Sequence, residues 1–276
     1  MKSKLQFYII ILLFILSNTV FSMENTIETK CVAHRGNNKY FLENSISSIK
    51  SAADIESEGI EVDIRHTKDG HAILMHDSTL KRVAKNKLGK ICPLEEKIKK
   101  LNIIDIRTNC LLKNNEEIPL LIEALEAVSL SNVEWFLELK DIPNQNTLKI
   151  INSFIPDYQG KRIISFKKQA LQKIKKYIQD FEITPDIELF KLYRFYLFHH
   201  KDFHADVRFT PFNLRGLSRQ NEKVKKAVWT VDGSKKLEEA LKKNIDYITT
   251  NDPELCLFLK SRYIKMLRSD NNLTAI

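Results

Sequence analysis

Eight short apolar runs, near Cys31, Ile60, Phe136, Ile163, Ile187, Val207, Val228 and Tyr247, recur along this 276-residue chain, with amphipathic segments in most of the gaps between them. Strands separated by helical segments can pair in parallel through crossovers, so the pattern predicts a parallel α/β protein. Eight such units fit one closed TIM (β/α)8 barrel, a fold that gathers its functional groups at the carboxyl ends of the strands. No low-complexity segment or Pro/Gly-rich linker divides the chain, so residues 23–276 read as a single domain. The piece from Asp77 to Pro119 is longer than an ordinary connection and is expected to be a small insertion over the site formed there. The tail beyond Lys265 is expected to fray.

Residues 1–22 have the form of a cleaved secretory signal: Lys2 and Lys4, the apolar run Phe7 to Leu16, then Val20-Phe21-Ser22. The run is too short to cross a bilayer, which takes roughly 20 residues. A secreted or periplasmic protein is the expectation. In that setting the four cysteines can pair. Cys92 and Cys110 bracket an irregular segment and are the preferred bridge, whereas Cys31, inside the first strand, is expected to be a buried thiol. The net charge of +9 is spread over lysine-rich helical segments such as Lys167 to Lys176. Runs of this kind are solvated faces, so nucleic-acid binding does not follow, and an anionic membrane surface is a partner the charge permits but does not require.

The chemistry concentrates between Ala33 and Asp77. Gly59-Ile60-Glu61-Val62-Asp63-Ile64 alternates with period two, which puts Glu61 and Asp63 on one face of a strand and the three apolar residues on the other. Trp135-Phe136-Leu137-Glu138-Leu139-Lys140 repeats the pattern and places Glu138 beside Lys140. Carboxylates crowded together repel unless a cation lies between them. Three of them, without clustered Cys or His, suit a hard divalent cation, Mg²⁺ or Ca²⁺, better than zinc. Nearby stand groups suited to cleaving a phosphodiester. Arg35 can grip phosphate oxygens and Lys140 can add a point charge. His34 and His76 can divide the acid and base roles. His66 and His71 flank the turn Thr67-Lys68-Asp69-Gly70 and are expected to face solvent. Gly36, Gly59 and Gly70 mark tight turns or close approaches in a chain with only seven glycines.

These residues, in order, resemble the glycerophosphodiester phosphodiesterases. The likeness runs through Ala33-His34-Arg35-Gly36, Glu43-Asn44-Ser45, Glu61-x-Asp63, Thr67-Lys68-Asp69-Gly70 and His76-Asp77, and on through Ile118-Pro119-x-Leu121, Glu138-Leu139-Lys140, Ile164-Ser165-Phe166, Trp229-Thr230-Val231 and Ile248 to Pro253. The resemblance implies a TIM barrel whose Glu61, Asp63 and Glu138 bind a divalent cation and whose His34 and His76 form the acid/base pair. It also implies that Arg35 and Lys140 contact the phosphate, that Trp229 lies against the glycerol, and that Glu43 stands at the rim of the site. Leu42 replaces a proline, Ser45 a threonine and Asn251 an aspartate of the family pattern, and the stretch Arg82 to Gly89 departs from its glycine-rich counterpart. The implied activity is hydrolysis of small-molecule glycerophosphodiesters to glycerol 3-phosphate and an alcohol. Two rivals are a lysophospholipase D or sphingomyelinase D-like lipid phosphodiesterase, and a non-catalytic barrel that binds phosphodiesters.

Overall fold

A computed structural model describes residues 28–155, 159–181, 187–243 and 245–273, so the signal segment at 1–22 lies outside the described residues. All eight expected strands form: β1 (Lys30–Ala33), β2 (Gly59–His66), β6 (Glu134–Leu139), β7 (Lys161–Ser165), β8 (Ile187–Tyr193), β9 (His204–Arg208), β10 (Lys226–Trp229) and β11 (Tyr247–Thr250). Each pairs in parallel with its neighbours in the order β1-β11-β10-β9-β8-β7-β6-β2, and the β1–β2 pairing closes the ring. The result is a TIM barrel. Glu28–Tyr263 form one compact unit.

The strand alternation predicts which side each residue takes. Ile60, Val62 and Ile64 of β2 face outward into a cluster with Ile49, Leu121, Leu125 and Leu148 from the surrounding helices. Those helices are α1 (Ile46–Asp54), α3 (Leu121–Ala127) and α4 (Gln145–Phe154). Helix α1 is started by Ser45, whose side chain accepts the Ser48 N–H. The barrel interior is packed with rings: Phe136 and Tyr247 stand edge to face at 4.9 Å, with Phe190 also against Tyr247 at 5.8 Å. These rings plug the barrel below the site.

The Asp77–Pro119 segment folds on itself. It contains an antiparallel pair, β4 (Ala84–Asn86) with β5 (Cys110–Leu112), and helix α2 (Ile103–Asn109). Ile98, Ile106, Leu112 and Ile118 build its own small core, which the Cys92–Cys110 bridge staples as expected. Its Arg82 reaches Glu43, so the insertion borders the site. The short strand β3 (Ala72–Leu74) runs antiparallel to β2 and delivers His76.

Three expectations fail. Cys31 is not a thiol: it is bonded to Cys256 in the last helix, α8 (Pro253–Leu273). Closing the barrel makes β1 the neighbour of β11, and Cys256 follows β11 closely. His66 is half-buried, with Nε2 2.8 Å from Thr147 Oγ1, because β2 continues far enough to bring it against α4. The chain past Lys265 is helical as far as Leu273 rather than frayed.

Candidate active site

The carboxyl ends of the strands surround a cleft of about 430 Å³ lined by His34, Arg35, Glu61, His76, Glu138, Lys140 and Trp229, among others. His34 and Arg35 follow β1, whose turn is possible only with glycine at position 36. There φ is +79°, and a Cβ would meet the Ser48 backbone carbon at 2.6 Å. Arg35 and Asn44 also take left-handed backbone, at φ 57° and 56°. Such conformations are uncommon for non-glycine residues, and here two of them flank one site.

Glu61 and Asp63 project inward from β2, where Asp63 sits directly opposite Glu138 of β6. One carboxylate oxygen from each of Glu61, Asp63 and Glu138 lies within 4.8 Å of the others, and all three residues are buried. Their surroundings differ sharply. Asp63 is surrounded by donors: Arg35 Nε at 3.0 Å, Lys140 Nζ at 2.9 Å and Asn44 Nδ2 at 2.8 Å. Burial would raise its pKa, but Lys140 and Arg35 outweigh burial and hold it well below the usual carboxylate range. Glu61 receives the Arg35 backbone N–H at 2.9 Å on Oε2, while its Oε1 is buried without a hydrogen-bond partner. Burial, then the charges of Asp63 and Glu138, push Glu61 far upward. Glu138 is pushed up to about 7 by burial and Asp63, despite Lys140 at 2.6 Å.

That imbalance is the test of fit for a metal. Two carboxyls that cannot ionise together in a dry pocket, one with an orphaned oxygen, are stabilised by a cation placed among them. The donor set is all oxygen, which suits a hard cation. Lys140, tied to Asp63 and Glu138, carries part of this charge: burial works against its ammonium, but the two carboxylates win and its pKa is raised.

The two histidines stand on either side. His34 Nδ1 is 2.7 Å from Asn251 Oδ1. Asn251 Nδ2 donates to Asp232 and Asn38 Nδ2 donates to Asn251 Oδ1, so this oxygen is an acceptor. The proton of neutral His34 therefore sits on Nδ1, leaving Nε2 free, 3.9 Å from Glu61. Burial, then the Arg35 charge, lowers His34 to about 4. His76 Nδ1 pairs with Asp77 at 2.7 Å, and Asp77 is itself held by Arg82 Nε at 2.6 Å. Arg82, before burial, brings Asp77 down to about 2, which keeps it an anion beside the imidazole. His76 is lowered by burial, against the pull of Asp63 and Asp77.

Glu43 lies at the rim and not in the acidic cluster. It accepts two bonds from Arg82 and one from Arg35 Nη1 at 3.0 Å, so it orients Arg35. Trp229 closes the far side, edge-on to Phe166 at 5.6 Å. The structure thus brings all nine expected residues to one end of the barrel, eight of them around the carboxylates and cleft wall and Glu43 behind Arg35.

Three supporting residues were not expected. Asn44 both donates to Asp63 and accepts its N–H, at 2.8 and 3.0 Å. Asn251 fixes His34. Asp206, 1% exposed, lines the cleft from β9, and burial followed by the Glu138 charge pushes its pKa well above the usual carboxylate range. An asparagine just ahead of a helix cap is a signal for left-handed backbone and could have pointed to Asn44. No local pattern marks Asp206.

The family model for glycerophosphoryl diester phosphodiesterases matches residues 34–255. A glycerophosphodiester phosphodiesterase of Caldanaerobacter subterraneus subsp. tengcongensis is 30% identical over 250 residues, 84% of this chain and 98% of that protein. Glycerophosphodiester phosphodiesterase 1 of Bos taurus is 33% identical over 152 residues, 52% of this chain and 45% of that protein. The fold is shared with a phosphodiesterase of Oleispira antarctica solved with its product sn-glycerol-3-phosphate, at a TM-score of 0.70 and 19% identity over 83% of this chain and 96% of that one. By the extent of these matches, the chain belongs to the glycerophosphoryl diester phosphodiesterase family.

Proposed function

We propose that this chain hydrolyses glycerophosphodiesters, the soluble diesters left when phospholipids lose their acyl chains, to glycerol 3-phosphate and an alcohol. The observation that carries the reading is the cluster of Glu61, Asp63 and Glu138 at the mouth of the barrel, flanked by two histidines with free Nε2 positions. Family membership and the product complex of the Oleispira antarctica relative support it.

Glu61, Asp63 and Glu138 would hold Mg²⁺ or Ca²⁺, which when bound supplies positive charge to the phosphoryl oxygens and the developing transition state. Arg35 and Lys140 add fixed charge from the same side. His34, neutral with Nε2 unprotonated, takes the proton of the attacking oxygen. His76, oriented through Nδ1 by anionic Asp77, which favours its imidazolium against the effect of burial, delivers the Nε2 proton to the departing alkoxide. Trp229 and Phe166 give the glycerol a flat apolar wall. Export is part of the proposal: the form of residues 1–22 and the two bridges that pair all four cysteines support an oxidising compartment.

Choline release decides the matter, measured from glycerophosphocholine, where glycerol 3-phosphate is the co-product, and from lysophosphatidylcholine, where lysophosphatidate is. Much higher kcat/KM on glycerophosphocholine is expected. Preference for the lysolipid would transfer the chain to lipid processing, and binding without product from either would make it a non-catalytic barrel.

A further inference from the structure

Across the cleft from the acidic cluster, the wall formed after β7, β8 and β9 carries cations that the chemistry above does not use: Lys167, Arg194 and Arg208. The other cleft cations are already committed. Arg35 and Lys140 pair with buried carboxylates, and Arg65 binds the His76 carbonyl and lies 3.5 Å from Asp141. Lys167 shares Asp141 at 3.5 Å. Arg194 and Arg208 are exposed, and neither has a carboxylate partner among the described residues. Arg194 rests over the Phe166 ring at 5.4 Å, on the side chain that also supports Trp229.

Solvated surface arginines are common, but these two are held together by a buried device. Asn213, fully buried in the first turn of α6 (Pro211–Leu217), donates from one Nδ2 to the carbonyls of Arg194 at 2.9 Å and Arg208 at 2.8 Å. Its Oδ1 accepts the Tyr196 N–H at 2.8 Å, and its own N–H is capped by Thr210. A satisfied amide inside the protein is costly to disturb, so the loop after β8 and the end of β9 are fixed side by side at the cleft. Arg194 follows β8 and Arg208 ends β9, its paired neighbour, and both line the cleft, where an anion would neutralise their charge and where their planar donor forks match phosphate oxygens. The nearby acids do not fill that role: Asp206 is buried at the cleft floor, and Asp141 is taken by Arg65 and Lys167.

We propose that Arg194 and Arg208 form a second anion subsite, which binds a phosphate of the substrate other than the one cleaved and so selects glycerophosphodiesters that carry two phosphates. The proposal rests on the hydrolytic reading above and narrows its substrate class. The second phosphate can come from a repeating glycerophosphate chain or from a phosphorylated headgroup.

The test uses matched pairs: glycerophosphoglycerol against bis(glycerophospho)glycerol, and glycerophosphoinositol against glycerophosphoinositol 4-phosphate. The two-phosphate member of at least one pair should show kcat/KM about tenfold higher, through KM, with the advantage shrinking as ionic strength rises. Which pair shows it identifies the source. The Arg194→Ala/Arg208→Ala variant should lose the preference. Equal kcat/KM within both pairs, or a preference that survives in the double variant, overturns the subsite. If no diester is cleaved, the hydrolytic reading fails. Calorimetry then decides the subsite alone: about tenfold tighter binding of bis(glycerophospho)glycerol by the wild type than by the double variant supports it, and equal affinities overturn it.

Discussion

Glu61 is held by the backbone of Arg35 and not by its side chain: the Arg35 N–H reaches Glu61 Oε2 at 2.9 Å, while the guanidinium turns to Asp63 and Glu43, each at 3.0 Å. One residue in a left-handed conformation therefore serves two carboxylates by separable means. Truncating the side chain spares the Glu61 contact and removes charge from Asp63 and from any bound phosphate. Arg35→Ala should lower kcat/KM by at least about 10², and Arg35→Lys should restore little, because an ammonium cannot span Asp63 and Glu43 as the planar fork does. Steady-state kinetics on glycerophosphocholine check this, and a loss below about threefold would remove Arg35 from phosphate binding.

Metal removal should be visible in stability as well as in rate. A cation that binds the folded cluster and not the unfolded chain raises Tm with the logarithm of its concentration. Mg²⁺ or Ca²⁺ should therefore raise Tm and restore turnover after chelation. Glu61→Gln should abolish both responses. A chelated protein with unchanged Tm and full activity would show that the carboxylates serve another purpose.

Burial holds His34 at about 4, below the usual histidine value of 6.5. Its neutral form thus persists at pH values where an exposed histidine is protonated. The limb of kcat/KM that reports His34 should lie well below pH 6.5, and His34→Ala and His76→Ala should each lower kcat by at least about 10² with little change in Tm. The sign for stability follows from linkage. The unfolded chain takes up the proton first, so the contribution of His34 to stability is lost as pH falls from 6.5 toward 4. Rate profiles and melting curves across this range measure both effects, and an acid limb at 6.5 or above would exclude His34 as the base.

Asn44 is expected to matter as much as a ligand without touching the metal. Asn44→Ala removes both bonds to Asp63 and leaves a buried carboxylate and N–H short of partners, at a cost of about 1–3 kcal/mol each. Asn44→Asp should be worse, because it adds a charge against Asp63. Both should lower Tm and weaken the metal-induced stabilisation. A normal metal response in Asn44→Ala would mean that Arg35 and Lys140 suffice to place Asp63.

The parts of the site legible in the sequence were those fixed by local geometry. Period-two alternation alone puts Glu61 with Asp63 and Glu138 with Lys140 on shared faces, whatever the strands later pack against. Residues whose role depends on distant contact were not legible in that way. Asn251 stood out only as a departure from the family pattern, yet it meets His34 across 217 positions. Asn213 acts through carbonyls that carry no side-chain signature. Cys31 looked like a core thiol because its strand is apolar; its partner becomes evident only when the ring is closed and the last strand comes to lie beside the first.

That bond between Cys31 and Cys256 turns the barrel into a covalent loop spanning 225 positions. In the chain-entropy model a loop of this length restricts the unfolded state by about 5 kcal/mol. It has a second consequence, independent of stability. Every strand end that carries a group of the site, from His34 to Asn251, lies inside the loop, so a protease that cuts any one of the intervening turns releases no fragment. A nicked molecule keeps its two pieces joined at the seam and comes apart only when a reductant opens it.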